Sequence, residues 1–150
     1  MPSIKKNKTR KLKKTRGKRS NHQTFEQQIV LSFLQMLNTV KLFHWKTHSF
    51  ATHKATDELY GSLNKNIDDF VEVLLGKYGD RVDLSRIKSI PLHDFSTQEE
   101  FIKQIVAYKG LLTALDGNGV MKSMSNTDLY NIRDEMLANF NQLLYLLTFK

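Results

Sequence analysis

Apolar residues recur at three- and four-residue intervals in four long runs of the chain, the pattern of amphipathic helices. The first run puts Phe25, Ile29, Phe33, Met36, Leu37, Val40 and Phe43 on one face. Thr24 and Gln27 form a capping-box pair at its start, so a helix is expected from there to about Lys46. His44 falls at the edge of that face, and Trp45 is expected to anchor the helix end. The second run carries Leu59, Leu63, Ile67, Phe70 and Leu74 and predicts a helix from about Phe50 to Lys77, closed by Gly76 and Gly79. A third helix is expected to open on the capping pair Ser96 and Glu99 and to run to about Leu115, with Phe101, Ile105, Val106, Tyr108 and Leu112 inward. After a two-glycine turn, LDGNGV, a last helix runs from about Thr127 to the C-terminus. Its inward positions are Leu129, Ile132, Met136, Phe140, Leu143, Leu144 and Leu147.

Between the second and third helices lies DRVDLSRIKSIPLHDF, which Pro91 keeps from forming one continuous helix. A short helical turn is expected near Asp83 to Lys88, with His93 and Asp94 as surface or capping groups. Four long helices, two short links and one long crossover predict an all-α, antiparallel four-helix bundle over residues 23–150.

Charge changes the picture at one end only. Lys5, Lys6, Lys8, Arg10, Lys11, Lys13, Lys14, Arg16, Lys18 and Arg19 occur with no acid among them, while the rest of the chain sets thirteen bases against fifteen acids. So few apolar residues accompany these bases that residues 1–22 are expected to form a disordered basic arm. Such an arm suits the phosphate backbone of DNA, with steep salt dependence and little sequence preference. RNA binding, a localisation signal and contact with anionic membrane are the alternatives. The absence of cysteine rules out a disulfide framework and a thiolate metal site. No apolar run approaches the ~20 residues of a membrane span. Neither a phosphate-binding glycine loop, a nucleophile elbow nor a Glu-x-x-His pair occurs, so nucleotide, acyl-transfer and single-chain di-iron chemistry have no motif to rest on. Asp134, Glu135 and Asn139 of the last helix are placed to reach a metal in a single-chain di-iron bundle, which the missing Glu-x-x-His pair leaves poorly supported.

The second helix carries the candidate chemistry. His53 and Asp57 are one turn apart, as are Asp68 and Glu72. At ~100° per residue, Asp57, Asp68 and Glu72 lie roughly 40°, 60° and 100° round the axis from His53, one narrow stripe. The apolar face is centred about 130° away. The two pairs are centred roughly 22 Å apart along a continuous helix, too far to close on one metal. Two copies packed antiparallel across a two-fold axis bring each His/Asp pair against the partner's Asp/Glu pair, crossing near the small residues Gly61 and Ser62. Imidazole nitrogen with carboxylate oxygen suits iron, zinc or manganese. A solvated charged face is the plainer reading of the same residues.

The stretch His44-Trp45, Phe50, His53, Asp57, Glu58, Leu59, Tyr60, Asp68, Glu72 and Gly76 to Gly79 resembles the Dps family of mini-ferritins. The family pattern is HW, a short loop ending in Phe, HxxxD, ten residues, DxxxE and a closing glycine. Spacing from His53 to Glu72 matches without a gap, and the likeness in layout extends over roughly residues 22–149. One departure stands out: the segment between Trp45 and His53 is about three residues short, which makes His48 an alternative to His44.

The resemblance implies a ferritin-like bundle and a ferroxidase site. His44, His53 and Asp57 would come from one chain and Asp68 and Glu72 from its two-fold mate. Iron would be bound, oxidised by peroxide or dioxygen and stored in a hollow homo-oligomer, a dimer at least and a dodecameric cage in the family. The arm would coat DNA, giving an intracellular, DNA-associated location: cytoplasm or nucleoid, nucleus, or virion. The alternative from a different class is a non-catalytic protein that condenses or packages nucleic acid on the same bundle.

Overall fold

The computed structural model describes residues 23–123 and 125–149; the basic arm lies outside the described residues. Five α-helices occur among them: α1 Phe25–Lys46, α2 Phe50–Tyr78, α3 Gln98–Thr113, α4 Gly119–Lys122 and α5 Thr127–Leu146. No strand occurs among the described residues. The core draws on all four long helices, with Phe33, Phe70, Phe101 and Phe140 as its largest fully buried side chains. α2 is the central element, packed against both α1 and α5, while α3 leans on α5.

Local signals explain most boundaries. Thr24 caps α1 in a full capping box with Gln27. α2 ends where Gly79 takes the left-handed conformation, with φ of 72°, and its N–H reaches the Leu75 carbonyl. Gly76, expected to share that stop, is instead inside the helix. All five apolar positions predicted for α2 are buried.

Several expectations shift. α3 is capped by Thr97 with Glu100, one residue beyond the predicted Ser96–Glu99 pair. Opening at Gln98 lets that side chain bridge the two neighbouring helix ends, accepting from the Thr52 hydroxyl at 3.2 Å and donating to the Leu147 carbonyl at 3.1 Å. Val106 is exposed rather than inward. The two-glycine turn contains a 3-10 turn, Ala114–Gly117, and then α4, which buries Met121. No helical segment forms over 83–88; a single turn closes there, with Ile87 N–H on the Leu84 carbonyl at 2.9 Å. Trp45 does not anchor α1, being 69% exposed.

His93 and Asp94, expected as surface or capping groups, pin the crossover instead. Asp94 pairs with Lys46 at 2.7 Å. The Tyr108 hydroxyl lies 2.7 Å from the Thr39 hydroxyl and 2.8 Å from His93 Nδ1, joining α3, α1 and the crossover. Burial pushes the Tyr108 phenol above its ordinary value, with hydrogen bonding from Thr39 pulling partly the other way. A raised folded pKa means the neutral phenol's contribution is complete below about pH 10 and drains as pH rises through the folded value. Tyr108→Phe should therefore lower unfolding free energy by about 1–2 kcal/mol at neutral pH. It should also remove part of the alkaline loss that denaturant titrations at rising pH record in the parent.

Candidate metal centre

The three-residue link Thr47–Ser49 folds the end of α1 back against the start of α2. Thr47 Oγ1 accepts from the Ser49 N–H, and Ser49 in turn caps α2 by accepting from the Thr52 N–H. This tight turn brings together histidines nine positions apart. The His44 and His53 rings stack at 3.9 Å between centroids and 23° between planes. Each ring also reaches across to the other residue's backbone: His44 Nδ1 is 3.0 Å from the His53 carbonyl, and His53 Nδ1 is 3.0 Å from the His44 carbonyl.

A carbonyl oxygen only accepts, so both Nδ1 atoms must carry the hydrogen. The clasp therefore fixes one tautomer in each neutral ring and leaves both Nε2 lone pairs free. That is the arrangement in which metal-ligating histidines are usually held, with the far nitrogen donating to a carbonyl. Buried Thr56 braces the pair, its hydroxyl donating to the Thr52 and His53 carbonyls and lying 3.3 Å from His44 Nδ1.

Asp57 lies beside His44. Its Oδ1 lies 3.8 Å from His44 Nε2, and its side chain is well exposed. With the tautomers above, these atoms are both acceptors, so they attract only through a proton or a cation between them. One ion bound to each at about 2.0–2.2 Å spans such a gap. His48, the alternative raised by the short loop, is exposed in the link and takes no part in the clasp.

Asp68 and Glu72 lie farther along α2, and both are exposed. α2 is unbroken from Phe50 to Tyr78, so the condition that keeps the two donor pairs apart within one chain is met. Among the described residues, no group of three His, Cys, Asp or Glu side chains is placed to hold a metal ion within one chain. The last-helix candidates are spent elsewhere. Asp134 accepts from Arg133 Nε at 2.6 Å, Glu135 accepts from Asn66 at 2.7 Å, and Asn139 donates to Asn66 at 2.9 Å.

Two features near the stripe escaped the sequence reading. Lys41 Nζ lies 4.4 Å from the Tyr60 ring centroid and 5.6 Å from that of Trp45, so a cation bridges two aromatics next to the clasp. Buried Asn66 carries the polar link between α2 and α5. Gly61 has open space where a Cβ would stand, so no contact within the chain requires glycine there. The i, i+4 spacing of Lys41 and Trp45 was a usable signal; Asn66 carried none.

The described residues form an all-helical protein whose first two helices meet at a stacked histidine pair with Asp57 beside His44. The chain belongs to the family described as "Family of unknown function (DUF5856)", whose model matches residues 44–147, beginning at His44 itself. No curated protein matches the chain, and no solved structure does.

Proposed function

We propose that this chain is a Dps-like, ferritin-like protein that takes Fe(II) as substrate at a site shared by two copies. His44, His53 and Asp57 of one copy would face Asp68 and Glu72 of the other, with oxidation by peroxide or dioxygen and storage of the ferric product in a closed homo-oligomer. The observation that carries this reading is the reciprocal histidine clasp, which occupies both Nδ1 atoms and leaves His44 Nε2 3.8 Å from Asp57 Oδ1. Four long helices with a long crossover between the second and third support a ferritin-like bundle. The arm, Lys5 to Arg19, would hold DNA through its phosphates.

Within this reading the chain's own groups do two jobs. The clasp keeps the Nε2 lone pairs free and pre-aimed, so binding an ion costs little reorientation. The carboxylates compensate the positive charge and favour hard, divalent iron over a soft thiolate metal. Bound iron supplies the electron.

The direct test is anaerobic addition of Fe(II) and then peroxide, followed in the near-UV. Ferric product should form faster than in buffer alone, and His44→Ala should abolish the difference while His48→Ala should not. If the protein gives no acceleration, oxidation is excluded and the packaging reading, resting on the arm alone, takes its place.

A further inference from the structure

A groove of about 340 Å³ runs between α1 and the crossover, near the lower end of the range for small-molecule sites. Leu31, Ile87, Ile90 and Pro91 give it an apolar wall. Gln28, Ser32 and Gln35, on successive turns of α1, line it with neutral amide and hydroxyl groups, and no acidic residue contributes. Two bonds fix the crossover to α1 along it. Gln27 Nε2 donates to the Asp83 carbonyl at 2.7 Å, and Gln35 Nε2 donates to the Pro91 carbonyl at 3.5 Å. The rim is basic. Residues 81–88 hold Arg81, Arg86 and Lys88 against the single acid Asp83, and Arg86 and Lys88 flank Ile87 with exposed side chains. Gln23, the first described residue, also lines the groove, so the basic arm departs from its edge. Arg19 is at most roughly 14 Å of chain from that point.

We propose that this groove takes one unpaired base of a nucleic-acid strand whose phosphates are held by the arm, Arg86 and Lys88. It rests on the nucleic-acid reading of the arm given above. A base has apolar faces and an edge of donors and acceptors, so it suits an aliphatic wall beside glutamine amides, which present both. A duplex keeps its bases stacked and paired, so a single strand is the form that fills the site. The groove also stands clear of the donor stripe: at ~100° per residue, Gln35 lies half a revolution round α1 from His44. The arm supplies most of the affinity through phosphate contacts, and the groove adds to it without replacing it.

The test uses the full-length chain with two probes, a short fluorescein-labelled oligoadenylate and a blunt duplex of the same length. Ser32→Phe fills the groove, while Ile90→Ala strips its wall at a residue outside the hydrophobic core. Each should weaken oligoadenylate binding by about tenfold and leave duplex affinity and both salt slopes unchanged. Fluorescence anisotropy reads the affinities, and far-UV circular dichroism confirms that each variant is folded. Unchanged oligoadenylate affinity in either folded variant overturns the groove, and so does an equal loss on the duplex. If the parent protein binds neither probe, the arm reading falls and the groove with it; if it binds both and the variants alter nothing, only the groove falls. Adenosine monophosphate should compete only at far higher concentration, since it lacks the flanking phosphates. Competition as strong as the oligomer's would give the site to a free nucleotide and overturn the strand.

Discussion

His53→Ala and Asp68→Ala should each lose iron when pure, yet regain one site per dimer when combined in a mixed dimer. The shared site proposed above requires it. α2 is continuous, so His53 and Asp57 cannot meet Asp68 and Glu72 of their own chain. In the mixed dimer, one site inherits both defects and the other pairs an intact His53 with an intact Asp68. Removing a ligand should weaken binding by about 100-fold or more, since loss of an outer-shell partner alone typically costs 10–100-fold. Metal analysis of the purified mixed dimer against both parents reads the result. Electrostatics points the same way: each site of the proposed dimer would gather Asp57 with the partner's Asp68 and Glu72, three carboxylates that repel unless a cation or protons intervene. A mixed dimer that binds nothing would remove the shared site, and so would full iron content in His53→Ala.

Helix periodicity was legible because one buried face repeats over many turns. The predicted core positions of α2 are all buried, and α1 begins at the capping box that Thr24 and Gln27 announced. Boundaries set by long-range bonds were not legible. Ser96–Glu99 and Thr97–Glu100 both satisfy the capping pattern, and only the reach of Gln98 to Thr52 and Leu147 favours the second. His93 was read as a surface group because nothing local reveals that Tyr108, fifteen residues on, turns its hydroxyl toward it.

The donor stripe was visible because i, i+4 pairing is a local property. The clasp was not, since it depends on how tightly Thr47–Ser49 folds back. That fold puts His44 in the clasp with His53, a pairing that spacing alone leaves open. Trp45 shows the converse error: an aromatic at a helix end is a good anchor by type, but here it stays exposed beside Lys41.

Deleting residues 1–20 should abolish DNA retention and leave helical content unchanged. All ten bases of the arm lie within that segment, and the rest of the chain is slightly acidic by formal count. Each arm base that neutralises a phosphate releases counterions, so log affinity should fall linearly with log salt, with a slope on the order of 5 to 9 if most of the bases engage. Among the described residues the first helix is Phe25–Lys46, outside the deleted segment. Far-UV circular dichroism and Fe(II) oxidation should thus match the parent protein while gel retardation at physiological salt is lost. Replacing alternate arm lysines by glutamine should lower the salt slope by about a third without creating any sequence preference, since the arm has no aromatic residues to stack on bases. Retardation that persists in the truncated protein would move the nucleic-acid surface onto the helices.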